Sequence, residues 1–230
     1  MNRRNILIGL GVVAAGAAAG GAYWLSRGGT ASMSSGQTAA APQAAVQSTA
    51  AGNMPIFDDD RILGDPAAPV TILEFSSLTC PHCAAFHRET LPQVKSEWID
   101  SGRARLVYRH YPLDQVSLRA AAVTDCIPGN GFFGFLEVLF ANQDKWARSQ
   151  DPIAAIGQYA ALAGLDKTTF EACLNDEAAI DRILARQSDG SAKYSIASTP
   201  TFVVNGTPVV GNRTYDEFNS ALEAAAANAS

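Results

Sequence analysis

Two cysteines separated by two residues are the groups in this sequence best suited to chemistry. Cys80 and Cys83 flank Pro81 and His82, directly after an apolar run that is typical of a buried strand. At the first turn of a helix, unpaired backbone N–H groups and the helix dipole stabilise a thiolate and lower its pKa. We therefore expect Cys80 to be a nucleophilic thiolate and Cys83 to be the more buried thiol that forms a disulfide with it.

The two residues between the cysteines indicate the direction of the redox chemistry. Pro81 fixes the first helical turn, and His82 adds a polar group that stabilises a thiolate at Cys80. A stabilised thiolate favours the reduced dithiol, which makes the disulfide a stronger oxidant. The motif therefore predicts a donor of disulfides, with two alternatives. One is a zinc site, for which a second nearby cysteine pair is missing, and the other is a purely structural disulfide.

A strand–helix–strand unit is predicted to position this motif. Residues 69–75 form a short, mainly apolar run rich in β-branched residues, which indicates a buried strand. Thr79 is expected to cap a helix that runs to about residue 99 and bends at Pro92. Residues 103–111 indicate a second strand, and His110 near its end is expected to be structural. This order gives a βαβ unit.

The rest of the folded part is predicted to be a helical block followed by a hairpin and a helix. The candidate helices are 117–127, 131–147, 152–164, 167–175 and 177–189, with a stop at Gly164 and an N-cap at Asp166. The four phenylalanines at 132, 133, 135 and 140 are expected to be mostly core, with one or two left to line a groove. Residues 201–204 and 208–210 flank a hairpin turn at 205–207, and 215–227 form a final helix. The fold class is therefore α/β, with one small mixed sheet interrupted by an all-helical insertion at about 115–194.

Charge is distributed unevenly along the chain. The formal net charge is −5, but residues 1–54 contain three arginines and no acidic residue. Residues 55–230 therefore carry 14 basic and 22 acidic residues. An acidic domain lacks the basic face that phosphate binding needs, so a nucleic-acid-binding function is excluded.

The first 54 residues have the composition of an export or anchoring segment. Residues 6–25 contain no charge and are long enough to cross a bilayer as a helix. Residues 1–27 are therefore interpreted as a cleaved signal peptide or as an uncleaved membrane anchor, with the anchor slightly favoured, and Arg3-Arg4 resembles a twin-arginine export motif. Residues 28–54 are uncharged and rich in Ala, Ser and Gly, which predicts a flexible linker.

The active-site sequence resembles that of a known family. Residues 74–87, Glu-Phe-Ser-Ser-Leu-Thr-Cys-Pro-His-Cys-Ala-Ala-Phe-His, look like the active site of the DsbA family. These are thiol–disulfide oxidoreductases of the bacterial cell envelope, built on a thioredoxin fold with a helical insertion. The resemblance covers about residues 55–230. It implies that Cys80 is the exposed nucleophile, that Cys83 is the resolving thiol and that His82 tunes the redox potential.

The resemblance assigns roles to three further residues. Thr199-Pro200 matches the family's cis-proline loop, in which the backbone of Thr199 is free to pair with an extended substrate chain. Glu74 matches a carboxylate buried beneath the disulfide, where it would relay a proton to Cys83. The alternative for Glu74 is a strand residue that faces water.

Two departures from the family pattern affect the interpretation. The residue before the proline is Thr199, whereas the best-known oxidases have valine there and isomerases often have threonine. The related isomerases dimerise through a folded N-terminal domain, while here that region is anchor and linker, which favours a monomeric oxidase. The second departure is an extra pair of cysteines, Cys126 and Cys173. Some relatives carry a second disulfide, which suggests that these two residues are bonded. Two buried free cysteines are the alternative.

The predicted function is that of an envelope oxidoreductase that introduces disulfides into exported proteins through Cys80 and Cys83. The family resemblance implies reduced, folding exported proteins as substrates and a quinone-linked membrane partner of the DsbB type as reoxidant. We expect no cofactor and no metal, and a location in the bacterial periplasm or envelope. The alternatives are a disulfide isomerase or reductase of the same fold, or a thioredoxin-fold chaperone or binding module.

Overall fold

A five-stranded mixed sheet forms the centre of the protein. The computed structural model describes residues 54–128 and 131–229, all of which lie in one compact unit. The strands are β1 (Arg61–Leu63), β2 (Val70–Ser76), β3 (Ala104–His110), β4 (Thr201–Val204) and β5 (Thr207–Val210), arranged in the order β1-β3-β2-β4-β5. Strands β2 and β3 are parallel, and the other pairs are antiparallel. The edge strand β1 was not predicted, because three residues are too few to show an alternating pattern.

The predicted βαβ unit is present, and its helix is irregular. It consists of α1 (Pro81–Ala85), a π-helical turn (Phe86–Thr90), α2 (Leu91–Val94) and a second π-helical turn (Lys95–Ile99). Pro92 lies at the start of α2, just after the first π-helical turn. A proline has no N–H to donate, so the backbone pairing changes at this point without ending the helical segment.

The insertion is entirely helical and occupies the predicted range. Its helices are α3 (Gln115–Asp125), α4 (Gly131–Ala141), α5 (Gln143–Trp146), α6 (Pro152–Leu162), α7 (Lys167–Leu174) and α8 (Glu177–Tyr194). Aspartate side chains cap four of them by accepting backbone N–H groups, namely Asp114, Asp151, Asp166 and Asp176. The predicted helix 131–147 is divided into α4 and α5 at Asn142.

The C-terminal hairpin and helix agree with the sequence prediction. Asn205 and Gly206 both have positive φ and connect β4 to β5, as expected for a two-residue hairpin turn. The last helix, α9 (Tyr215–Ala227), begins with a capping box formed by Thr214 and Glu217. Phe218 and Leu222 on its inner face are buried against the sheet.

Apolar cores lie on both faces of the sheet. On one face, the helical segment after Cys80 and α9 pack against β2, β3 and β4. On the other face, Met54 and Ile56 pack with residues of β2, β3 and β4 and with Ile196. The expected linker therefore ends before residue 54, because the Met54 side chain is buried in the folded domain.

The predictions for residues 1–53 lie outside the described residues. Within the part of the chain that the structure describes, no helix is both long enough and apolar enough to span a bilayer.

Candidate active site

The cysteine pair lies at the junction between the sheet and the first helix. Cys80 has extended backbone angles and occupies the N-cap position of α1, and Pro81 is the first helical residue. The expected N-cap at Thr79 is wrong, because the Thr79 hydroxyl donates instead to Asp114 Oδ2 at 2.6 Å. The side chain of Cys80 therefore points at the start of the helix, where backbone N–H groups are unpaired.

The surroundings of Cys80 favour its thiolate. The Cys83 thiol donates to the Cys80 sulfur, and the backbone N–H groups of Cys83 and His82 and the side chain of Thr199 add to this effect. Together they lower the pKa of Cys80 from 9.0 to about 5, although burial acts in the opposite direction. His82 contributes to this shift through its backbone N–H, while its side chain is exposed.

Cys83 is chemically different from Cys80. Its side chain is fully buried, and burial raises its pKa far above the ordinary value for a thiol. The neighbouring Cys80 raises that pKa further, whereas the Ser76 side chain lowers it. Both cysteines are free thiols in this structure. Cys80 is also less accessible than the family resemblance implied, with an exposed fraction of only 6%.

The loop at Thr199 and Pro200 faces the nucleophile. The Thr199–Pro200 peptide bond is cis, and both residues are buried. The Cys80 sulfur lies 3.4 Å from the Thr199 carbonyl oxygen. The backbone to which the family resemblance assigns substrate pairing thus lies next to the Cys80 sulfur.

Side chains of the helical insertion hold the loop that carries Cys80. Gln143 Nε2 donates to the carbonyl oxygens of Leu78 at 2.7 Å and Cys80 at 3.0 Å. Ser77 Oγ lies 2.8 Å from the Ser117 hydroxyl. Sequence reasoning missed these contacts, because an amide 63 residues from Cys80 gives no local signal of its partner.

Glu74 is a buried strand residue. Its side chain is fully buried, so the alternative in which it faces water is wrong. Glu74 Oε1 lies 2.8 Å from Nε2 of His87, which is also buried. The pairing of Glu74 with His87 was not predicted, although the motif 74–87 contains both residues.

The other two cysteines form a disulfide in the insertion. Cys126 at the end of α3 and Cys173 in α7 are bonded, with a sulfur–sulfur distance of 2.06 Å. Three of the four phenylalanines, Phe132, Phe135 and Phe140, are buried in the core, and Phe133 is partly buried against it. Among the described residues, no group of three or more His, Cys, Asp or Glu side chains is arranged to hold a metal ion.

Comparisons with known proteins agree with this geometry. A family model described as "Thioredoxin" matches residues 57–224. The crystal structure of alpha-DsbA1 from Wolbachia pipientis is 30% identical and superposes with a TM-score of 0.71, covering 76% of this chain and 94% of that chain. Disulfide bond formation protein D of Bacillus subtilis is 25% identical over 179 residues, which cover 76% of this chain and 80% of that protein.

Longer relatives are also similar to this chain. A curated protein of Rickettsia felis, provisionally named a protein-disulfide oxidoreductase, is 30% identical over 174 residues. The match covers 74% of this chain and 61% of that protein, so the chain spans about three-fifths of the length of this relative. The matched residues include the cysteine pair, the insertion and the cis-proline loop, since the family model alone extends from residue 57 to residue 224. The chain therefore belongs to the DsbA family of thioredoxin-fold thiol–disulfide oxidoreductases.

Proposed function

We propose that this protein oxidises pairs of thiols in exported proteins by donating a disulfide between Cys80 and Cys83. The observation that carries the proposal is the lowered pKa of Cys80, at about 5, beside the buried thiol of Cys83. A thiolate at pH 7 stabilises the reduced enzyme, so the oxidised enzyme gives up its disulfide readily. Donation is therefore favoured over reduction of substrate disulfides.

The reaction proceeds by two thiol–disulfide exchanges. A substrate thiolate attacks the Cys80 sulfur, the Cys80–Cys83 bond breaks, and Cys83 leaves and takes up a proton. A second substrate thiolate then attacks the substrate sulfur of the mixed disulfide and expels Cys80 as a thiolate. The low pKa of Cys80 makes it a good leaving group in this second step.

An extended substrate chain is proposed to bind beside the cis-proline loop. The Thr199 carbonyl oxygen lies 3.4 Å from the Cys80 sulfur, so a chain paired with this backbone would place its own cysteine at the nucleophile. Reoxidation is assigned to a quinone-linked membrane protein of the DsbB type. The site of action is the periplasm or envelope. There the domain is either held at the membrane by the N-terminal segment or released from the membrane. The domain acts as a monomer.

The proposal is tested by mixing the oxidised protein with a reduced, unfolded protein that contains two cysteines. We expect one substrate disulfide to form for each Cys80–Cys83 disulfide consumed, and no substrate disulfide to form with Cys80→Ser. Cys83→Ser is the matched control, since it keeps Cys80 but cannot form the Cys80–Cys83 disulfide and should leave the substrate reduced. When its Cys80 first carries a glutathione disulfide, attack by a substrate with a single cysteine should release glutathione and leave the mixed disulfide between Cys80 and the substrate. An enzyme that leaves the substrate reduced but rearranges a scrambled disulfide protein would instead be an isomerase, the function that Thr199 would favour.

A further inference from the structure

One face of the sheet changes from apolar to polar beneath the active-site helix. Alternate residues of β2 and β3 share this face, and near the start of each strand they are apolar, as with Val70 and Ile72. At the end nearer the active site they are instead the four polar residues Glu74, Ser76, Tyr108 and His110. All four are buried.

These four side chains are close neighbours. In the parallel register, Glu74 pairs with Tyr108 and Ser76 pairs with His110. Glu74 Oε2 has no hydrogen-bond partner among the described residues, and Ser76 Oγ, Tyr108 Oη and His110 Nε2 make no hydrogen bond of ordinary geometry there. Buried polar atoms are normally paired, so a group of four such side chains next to each other in the interior is unusual.

The polar face is in contact with the resolving thiol. Cys83 and Tyr108 lie in the same buried cluster. The Ser76 side chain lowers the pKa of both Cys83 and Tyr108, so it interacts with both groups. Burial raises the pKa of Tyr108, and the charges of Glu74 and Cys83 raise it further, so its hydroxyl keeps its proton at neutral pH.

The far side of this face opens into a small cavity. The cavity has a volume of about 40 Å³ and is lined by Tyr108 and His110. A space of this size holds one or two water molecules. His110 Nε2 lies 3.5 Å from Asp125 Oδ1, and the Asp125 side chain is 22% exposed, so this side of the cavity reaches solvent. The other charged groups that line it are Asp59, Asp60, Arg61, Arg109, Arg182 and Arg186.

We propose that Tyr108 relays a proton between Cys83 and solvent. On the Cys83 side the proton passes through Ser76, and on the solvent side it passes through the cavity, His110 and Asp125. The inference rests on the proposed function, because it concerns the step in which Cys83 reacts. Nothing in the sequence motif indicates this route, since Tyr108 and His110 lie on β3, more than 20 residues from Cys83.

The relay completes the proton balance of the exchange at Cys83. When a mixed disulfide at Cys80 is resolved, the Cys83 sulfur loses its proton and attacks the Cys80 sulfur. The bond from Cys80 to the other thiol breaks, and that thiol leaves as a thiolate. In the opposite direction Cys83 leaves as a thiolate and takes up a proton by the same route.

The pair of Glu74 and His87 is a poorer exit for this proton. Glu74 is fully buried and its Oε1 is engaged by His87, whose side chain is only 4% exposed. Tyr108 is equally buried, yet it borders a cavity that leads to Asp125. Glu74 can therefore influence the charge around Tyr108, while the path to water runs through β3.

The test is the rate at which the Cys80–Cys83 disulfide closes after the reduced protein reacts with oxidised glutathione. Acid quenching at successive times and mass measurement follow the glutathione adduct. In Tyr108→Phe, which removes only the hydroxyl, we expect closure to slow by about 10-fold or more. Imidazole buffer should restore part of this rate, since an external base can replace a lost relay but does not repair a structural defect. Tyr159→Phe in α6 is the matched control and should close within 2-fold of the wild-type rate.

Three outcomes would overturn the relay. One is closure of Tyr108→Phe at the wild-type rate, and another is slow closure that imidazole does not change. The third is slow closure in Glu74→Gln with normal closure in Tyr108→Phe, which would place the proton path at Glu74. His110→Asn is a second variant, expected to give slow closure that imidazole also rescues. If the wild-type protein itself forms no disulfide with glutathione, the proposed function fails, and this is separate from the relay.

Discussion

At the residue scale, the two active-site sulfurs differ because of where the first helix begins. Cys80 receives two backbone N–H groups and the Cys83 thiol, whereas Cys83 lies fully inside the domain. Three residues along one helix are enough to separate a thiolate from a thiol that keeps its proton. In the proposed reaction, this asymmetry makes Cys80 the attacking and leaving sulfur and leaves Cys83 to resolve mixed disulfides.

The stability of the reduced protein should depend on pH through Cys80. The pKa of Cys80 is about 5 in the folded protein and about 8.5 in an unfolded chain. The contribution of the thiolate to the free energy of unfolding of the reduced protein is therefore complete above about pH 8.5. This contribution is lost as the pH falls toward 5, by about 1 kcal/mol per pH unit. The oxidised protein has no such group, so urea unfolding of both forms between pH 8 and pH 5 measures the effect. A difference in free energy of unfolding that stays constant with pH would contradict the assignment.

At the scale of elements, the insertion acts as a support for the active-site loop. Gln143 in α5 donates to two carbonyl groups of that loop. Ser117 of α3 contacts Ser77, and Asp114, which caps α3, accepts from Thr79. The loop that carries the nucleophile is therefore held between the sheet and the helices. The insertion begins immediately after β3, whose end lies beside that of β2, so it starts close to the active-site loop.

Removing the Gln143 amide should weaken the fold. Gln143→Met keeps a similar side-chain volume but leaves the buried Leu78 carbonyl without its donor, which should cost about 1–3 kcal/mol of the free energy of unfolding. Gln158→Met on the exposed side of α6 is the control and should change it by less than about 0.5 kcal/mol. Denaturant unfolding measures both variants. Equal stability of the two variants would show that the Gln143 contacts contribute nothing.

Most elements follow from local sequence signals, and the exceptions have physical reasons. The boundaries of α9 and the turn at Asn205-Gly206 were predicted correctly, because caps and turns depend on neighbouring residues. Helix α8 extends past its predicted end at 189, since Gly190 does not stop it. A Cβ at Gly190 would overlap the Phe75 ring, so this glycine permits close packing rather than ending the helix.

At the scale of the whole molecule, the site could be predicted only where its chemistry is contiguous in the chain. The cysteine motif and the Thr199-Pro200 pair are visible as short patterns. The support by Gln143 and the polar face of Tyr108 and His110 depend on the register of strands and on contacts across the domain. Single-sequence patterns do not contain such pairings, because they report only local spacing.

The Cys126–Cys173 disulfide should stabilise the whole domain. It joins α3 to α7 across 47 residues, which corresponds to about 4 kcal/mol in the chain-entropy account of the unfolded state. The Cys126→Ala/Cys173→Ala double variant should therefore unfold at a temperature lower by about 10 °C. Thermal unfolding followed by circular dichroism measures this change. An unchanged midpoint would mean that the helices of the insertion hold together without the bond.

The most direct test of the account is the equilibrium of the Cys80–Cys83 pair with reduced and oxidised glutathione at pH 7. The thiolate at Cys80 stabilises the reduced protein, so the account predicts a reduction potential nearer about −120 mV than about −270 mV, the values that separate strongly oxidising from reducing thioredoxin-fold proteins. A potential near −270 mV, at about the level of a thioredoxin, would contradict the proposed function as a disulfide donor.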